Sequence, residues 1–354
     1  MDITVCICTH DRPDYVRDCL AGLREQTVAS DRFETLIVDS ASSKPNAAIL
    51  ASLARDHGAY LIRVDQPGVS LARNSGAQAA RTPYIAYIDD DAIPAPDWIA
   101  AILSALTEPG PPPAVLGGRI LPRWEAPLPV WWPPSLRGVL SIIEHEGRGE
   151  YRSPAMPANL EPYAANMVVS VAALRSAGGF PATAGRYGTV LLSDEEVQLA
   201  WTLQNLGHSV RYDSRIVVRH QIQASRFTPT WLLSRLYWQG ASTVVTRRLT
   251  GRPDSVWREL PRRCLVALLF APFRLVPTGS VRWLEARWRL AYATGFLRAA
   301  LGWQAWCAAQ ATAQATTAQA TTTQANTAQA NTAQATTTQA MASRHHATAA
   351  GDAR

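Results

Sequence analysis

The sequence predicts an α/β fold, a mainly parallel sheet flanked by helices with a helical C-terminal extension. Three observations carry that expectation. Four short apolar runs rich in β-branched and aromatic residues recur at 3–8, 33–38, 60–64 and 84–88. Segments with helical periodicity separate them, and strands alternating with helices form βαβ units. Three of the runs close on carboxylates or hydroxyls: Thr9 with Asp11, Asp39, and Asp89-Asp90-Asp91. In such sheets the carboxyl ends of the strands border the ligand crevice. These groups are therefore expected on one rim.

The first run ends in the polar turn Thr9-His10-Asp11-Arg12-Pro13. A helix follows, with Tyr15, Val16, Cys19, Leu20 and Leu23 at i, i+1, i+4, i+5 and i+8. Further helices are expected at 47–56, 70–80 and 97–106. From 108 to 162 prolines crowd the chain among Trp124, Trp131 and Trp132, which reads as an irregular excursion over the sheet edge. Residues 163–171 regain strand character, and 172–177 form a short helix closed by Gly178-Gly179. A helix at 195–206 stops at Gly207, and a last strand within 211–219 leads into His220. Arg- and Trp-rich helices follow at 261–276 and 281–301. From 304 to 340 a degenerate five-residue repeat of Thr, Ala and Gln has no bulky apolar residue to bury, so disorder is expected. The expected division is 1–228, 229–303 and 304–354.

Charge is uneven. The net charge is +6, yet from Arg215 to Arg298 fifteen arginines face three acids, Asp254, Glu259 and Glu285. Lys44 is the sole lysine, which explains the choice of arginine but not its clustering. A basic half points to an anionic neighbour: lipid headgroup, polyanion or nucleotide phosphate. The cysteines Cys6, Cys8, Cys19, Cys264 and Cys307 lack zinc-site spacing and read as packed, reduced thiols of a cytoplasmic protein. Met1 is followed by an acid and a strand, without the basic start of a signal peptide. No apolar stretch approaches the roughly 18 residues of a spanning helix.

Four features carry chemistry. Asp89-Asp90-Asp91 sets three carboxylates side by side, and such carboxylates repel unless a cation intervenes. Mg²⁺ or Mn²⁺, which favours oxygen ligands and diphosphates, suits that need; a solvated acidic turn is the alternative. Ser193, Asp194, Glu195 and Glu196 open a helix, either as cap and first-turn acids or with one carboxylate as general base. His220, expected just past a strand, completes a metal shell only if the fold brings it to the aspartates. Arg73 meets a diphosphate or faces solvent. The chain lacks Gly-x-Gly-x-x-Gly, the P-loop and Gly-x-Ser-x-Gly, which disfavours dinucleotide-binding dehydrogenases, P-loop NTPases and α/β-hydrolases.

Taken together, Val5 to Pro13, Leu36-Ile37-Val38-Asp39-Ser40, Gly68 to Gly76, Tyr87 to Pro94 and the Glu195-Glu196 helix resemble a family 2 glycosyltransferase of the GT-A-type nucleotide-diphospho-sugar transferase fold. The resemblance spans roughly residues 2–240. It implies that Thr9, Asp11 and Asp39 contact the donor nucleoside, with Arg73 near its base or diphosphate and Asp90 beside them. It implies that Asp89 and Asp91 are the DxD pair, Asp89 toward the ribose and Asp91 on Mn²⁺ or Mg²⁺, with His220 as a further ligand. Glu196 falls on the catalytic-base position, with Glu195 as its rival. Asn166 lies in an acceptor-side segment, and Asp194 joins that side. The implied reaction is inverting transfer from a nucleotide-sugar to a glycan or lipid-linked hydroxyl. The basic extension then suits either a packed C-terminal helical subdomain with its arginines facing water or an anionic membrane surface, at the inner face of the cell membrane. The alternatives are a nucleotidyltransferase, whose Gly- and Lys-bearing first loop is missing, and a non-catalytic sugar-nucleotide binder of the same fold. No nucleic-acid module accompanies the arginines, so no nucleic-acid partner is expected.

Overall fold

Three βα units and a fourth strand begin the chain: β1 (Ile3–Thr9), α1 (Pro13–Arg24), β2 (Phe33–Ser40), α2 (Lys44–Asp56), β3 (Tyr60–Val64), α3 (Val69–Ala79) and β4 (Tyr84–Asp89). The computed structural model describes residues 1–181 and 192–302. The four strands lie parallel in the order β3-β2-β1-β4. Thr9 pairs with Asp39 and Cys8 with Asp89, so the three polar strand ends lie level. Pro13 opens α1, where its fixed φ and missing N–H are no handicap. The helix buries Val16, Cys19, Leu20 and Leu23, as its periodicity predicts. Gly76 lets α3 press onto the sheet: a Cβ there would lie 2.5 Å from Cys6 Sγ.

The second half contains β5 (Ala92–Pro94), α4 (Trp98–Leu106), β6 (Val115–Trp124), β7 (Arg148–Glu150), β8 (Met167–Ser170), α5 (Val171–Ser176), α6 (Glu195–Asn205) and β9 (Val210–Ile222). Here the sheet is mixed. β8 runs antiparallel between β4 and β6, β6 lies parallel to β9, and β5 and β7 run antiparallel to β9. The fold class stands, with parallel pairing among the first four strands and between β6 and β9.

Two sequence expectations change. The Pro-rich excursion contains β6, a ten-residue strand deep in the sheet. Its Val115 and Leu116 are buried, and Gly117 and Gly118 admit close neighbours. A Cβ would lie 2.1 Å from Tyr151 Oη at Gly117 and 2.3 Å from Asn166 Nδ2 at Gly118. The prolines that mask this strand lie mostly outside it. β9 also runs past its expected end, so His220 sits inside a strand, opposite Ala92.

The C-terminal helices are α7 (Pro229–Leu249), α8 (Pro253–Phe270) and α9 (Leu284–Leu301). Thr228 caps α7, its Oγ1 accepting the Trp231 N–H at 3.2 Å. α8 begins earlier than expected and continues through Pro261. Helices α7 and α9 touch backbone to backbone: a Cβ would lie 2.1 Å from Tyr292 O at Gly240 and 1.8 Å from Tyr237 O at Gly295. Met1–Leu301 packs as one unit, so the boundary expected after residue 228 is not a break in packing. Cys264, expected to be packed, is exposed because α8 turns it outward. Cys307 and the expected repeat tail lie outside the described residues.

Candidate active site

A cleft of about 420 Å³ opens over the carboxyl ends of β1 and β4 and is closed by the start of α6. Its strand side holds Thr9, Arg12, Asp89, Asp90, Asp91 and His220, and its helix side Tyr163, Asp194, Glu195 and Glu196. The parallel register brings the ends of β1 and β4 together, as strand ends in a doubly wound sheet do, and the antiparallel pairing of β5 with β9 adds His220.

On the strand side, Thr9 Oγ1 donates to Asp90 Oδ2 at 2.7 Å. Arg12 reaches Asp90 Oδ1 at 3.2 Å and Asp91 Oδ2 at 2.5 Å. Asp91 also accepts from Gln223 at 2.9 Å and lies 3.3 Å from Arg226. Burial would raise the Asp91 carboxyl, but His220 and then the arginines outweigh it and hold it well below the usual carboxylate range. Asp90 differs. Burial pushes it up to about 7 against the pull of Arg12, and Asp91 adds repulsion.

On the helix side, Arg73 is fully buried and bridges two acids, donating to Glu195 Oε1 at 2.6 Å and to Asp89 Oδ1 at 3.3 Å. It thus ties the end of β4 to the start of α6. Glu196 accepts a long 3.4 Å bond from the Ala164 N–H, and its Oε2 is buried without a hydrogen-bond partner among the described residues. Burial, then repulsion from Glu195, pushes its carboxyl up to about 8. Asp194 stands at the helix N-terminus with φ 75° but does not cap it. Its carboxylate accepts from Gln239 of α7 at 2.9 Å, and burial raises it.

Residues 4–132 match the model for "Glycosyl transferase family 2". Those residues are a family 2 glycosyltransferase domain. The chain is 28% identical over 176 residues to a glucosyl-dolichyl phosphate glucuronosyltransferase of Haloferax volcanii, covering 49% of this chain and 54% of that protein. It is 25% identical over 235 residues to a pre-mycofactocin glycosyltransferase of Mycobacterium tuberculosis, covering 66% and 46%. The chain thus spans about half the length of these relatives. A mannosyltransferase from Pyrobaculum calidifontis, solved in complex with GDP-Man and Mn²⁺, shares the fold with a TM-score of 0.54 at 17% identity, covering 83% of this chain and 86% of that one.

The expected site residues divide. Thr9, Asp89, Asp90, Asp91, Glu195, Glu196, Asp194, Arg73 and His220 meet at the cleft. Asp11 does not line it: its Oδ1 accepts from Ser43 N, Ser43 Oγ and Asn46 Nδ2 at 2.7–2.9 Å, which anchors the start of α2 and lowers its carboxyl to about 2. Asp39 is buried behind the cleft rim, bonded to Arg63 and to the Ser42 N–H. Asn166 is a buried bracket. It donates to Arg119 O and Ile216 O at 2.9 and 2.8 Å and accepts from Trp98 Nε1 at 2.9 Å. Those bonds engage both ends of its amide, contrary to the acceptor-side expectation. The sequence reading missed Arg12, Arg226 and Tyr163 as cleft residues. Arg12 lay inside a quoted motif, and its position beside strand-end carboxylates was the available signal.

The donor set fits a divalent cation at Asp91 and His220. His220 Nδ1 lies 3.0 Å from Leu140 O, so in the neutral ring it donates there and leaves the Nε2 lone pair facing Asp91 Oδ1 at 3.3 Å. Two lone pairs so placed repel unless a proton or a cation lies between them. Adjacent ligands about 2.1 Å from a Mg²⁺-sized ion sit about 3.0 Å apart, which matches. Asp89, expected as a third ligand, pairs with Arg73 instead. Among the described residues no group of three His, Cys, Asp or Glu gathers around one point. Two protein donors leave room for diphosphate oxygens, which Mg²⁺-type ions favour.

Proposed function

We propose that this chain transfers a sugar, with inversion at the anomeric carbon, from a nucleotide-activated donor to an acceptor hydroxyl. The observation that carries the reading is the juxtaposition of a cation-suited pair, Asp91 with His220, and a proton-avid carboxyl, Glu196, on one cleft. Glu196 takes the proton from the acceptor hydroxyl, whose oxygen bonds to the anomeric carbon. The bond from that carbon to the phosphate oxygen breaks, and its electron pair leaves with the nucleoside diphosphate. A pKa of about 8 suits a general base at neutral to mildly alkaline pH. Glu195 is the weaker candidate because its Oε1 is bound to Arg73.

Asp91 and His220 would hold Mn²⁺ or Mg²⁺. Bound there, the ion supplies a Lewis acid for charge gathering on the leaving diphosphate. Arg12 and Arg226 add fixed positive charge beside it. Thr9 and Asp90 orient the donor at the strand rim. Arg73, held between Asp89 and Glu195, keeps donor and base elements in register. A glycan or lipid-linked hydroxyl is the acceptor. The Haloferax relative, named for a glucosyl-dolichyl phosphate, supports the lipid-linked case. An anionic membrane surface is then the place where such an acceptor is met.

The test is nucleoside diphosphate release from UDP-, GDP- and dTDP-sugars with Mn²⁺, with GDP-mannose run first on the precedent of the Pyrobaculum mannosyltransferase. Turnover of one donor that Glu196→Gln and Asp91→Ala both abolish supports the reading. Release that survives both substitutions discards the site. Tight donor binding without release, even with acceptors supplied, moves the chain to the non-catalytic binders.

A further inference from the structure

Part of the basic, Trp-rich C-terminal segment faces inward. Arg287 is buried and bonds to Thr278 O and Ser280 O, Arg247 and Arg263 share Glu259, and Trp231 and Trp288 pack into an apolar cluster with Leu232 and Leu236. Composition alone had spread the membrane-facing signal over the whole segment. The structure concentrates it on one helix.

α8 has a single fully buried residue, Val256. Trp257, Pro261, Leu265 and Leu268 recur at i, i+4, i+8 and i+11, one stripe of a 3.6-residue helix, and all four point outward. Leu268 is 74% exposed, and Leu269 beside it 61%. Arg258 and Arg262, both exposed, follow the same four-residue spacing one position on, so a row of charge runs along the apolar stripe. The turn after the helix extends the pattern: Leu275 is 89% exposed, and exposed Trp283 packs at a tilt against Phe273, ring centroids 5.5 Å apart. Arg274 and Arg282 lie exposed in that turn.

We propose that this face of α8, with the turn to Trp283, docks the protein on an anionic lipid bilayer. The helix lies in the headgroup layer, with its leucines and Trp257 toward the acyl boundary and its arginines on lipid phosphates. Three observations select this occupant. Side chains this exposed and apolar gain by leaving water, and a flanking arginine row complements lipid phosphate. Among the described residues no helix is long and apolar enough to cross a membrane, so the face lies on the bilayer and not through it. A second copy of the same face would bring arginine against arginine, and like charges oppose that pairing.

The docking face connects to the cleft through packed helices. α8 packs on α9, and α9 meets α7 backbone to backbone at Gly295 and Gly240. From α7, Gln239 holds Asp194 and Ser242 Oγ accepts the Ser193 N–H at 3.0 Å, beside the candidate base. A lipid-linked acceptor would thus approach a helix side tethered to the membrane-bound element. Docking itself does not depend on the transfer reading, and its test requires no turnover.

The experiment is flotation of the full chain with vesicles of phosphatidylcholine alone and with about one third phosphatidylglycerol, at low and high salt. The expected result is flotation with the anionic vesicles only, weakened by salt. Leu268→Asp with Leu269→Asp, and separately Arg258→Glu with Arg262→Glu, should each lower bound protein by about tenfold or more, with unchanged circular dichroism. Absence of flotation, equal binding to neutral vesicles, or binding that both double variants retain would overturn the proposal. So would a lipid-independent dimer that Leu268→Asp dissociates, which would give the face to a second copy.

Discussion

Asp91 at the strand rim and Glu196 at the start of α6 are both buried carboxyls on one cleft, and their surroundings treat them in opposite ways. At the rim, Asp91 is met by His220, Arg12, Arg226 and Gln223, and these partners outweigh the cost of burial and keep it ionised. At the helix, Arg73 bonds Glu195 and leaves Glu196 with a like-charged neighbour. Burial therefore wins there, and Glu196 keeps its proton up to about pH 8. The residue chemistry is similar; the count of cationic partners decides the charge state. A fixed anion suits cation binding, and a titratable one suits proton transfer.

The largest effects should come from substitutions that remove either member of this contrast. Asp91→Ala and Glu196→Gln should each lower donor-dependent transfer by about 10²- to 10⁴-fold. Glu196→Gln should leave nucleotide affinity near its starting value, measured by calorimetry, whereas Asp91→Ala should weaken Mn²⁺-dependent binding. Equal loss of affinity in both would erase the division of labour.

The pH profile sharpens the same comparison. Glu196 works as a carboxylate, so transfer should rise with pH and level off near 8, falling about tenfold per unit below that. A flat profile between pH 6 and about 8 under rate-limiting chemistry would assign the base elsewhere.

Asn166→Ala tests the bracket against the acceptor reading. It removes three buried hydrogen bonds and should cost about 2–4 kcal/mol in denaturant unfolding. The KM for acceptor should barely move in the folded fraction. A large KM change at unaltered stability would restore Asn166 to the acceptor side.

The smallest effect is on stability. Because the Glu196 carboxyl sits above its usual 4.5 in the folded chain, the folded state binds more protons than the unfolded one between that value and about 8. Stability contributed by this group therefore falls as pH rises through that window. Glu196→Gln should be more stable than the parent to denaturant at pH 9 and should show little difference near pH 4.

The four N-terminal strands were legible because each is a contiguous apolar run closed by polar residues, and their parallel pairing follows from the helices between them. β6 was not, because Val115-Leu116-Gly117-Gly118 carries two glycines and lies among prolines, and close neighbours remote in sequence, Tyr151, Asn166 and Ile216, explain those glycines. The strand-rim aspartates could be read from position alone. The state of Glu196 could not, since it depends on where Arg73 points, and Arg73 lies more than a hundred positions earlier. Asn166 likewise sat in a segment that looked functional, while its partners Trp98, Arg119 and Ile216 come from three separate elements.

By itself, the sequence determined the αβ alternation, the rim on which Thr9, Asp89, Asp90 and Asp91 gather, and the family these motifs belong to. These depend on local periodicity and on strand ends, both encoded within short stretches of chain. The tertiary structure alone decided that His220 faces Asp91, that Arg73 bridges Asp89 to Glu195, and that α8 turns its leucines outward while α7 and α9 bury their faces. Each of those outcomes is a distance between segments remote in sequence. Burial and charge pairing act through such distances, and a linear pattern does not contain them.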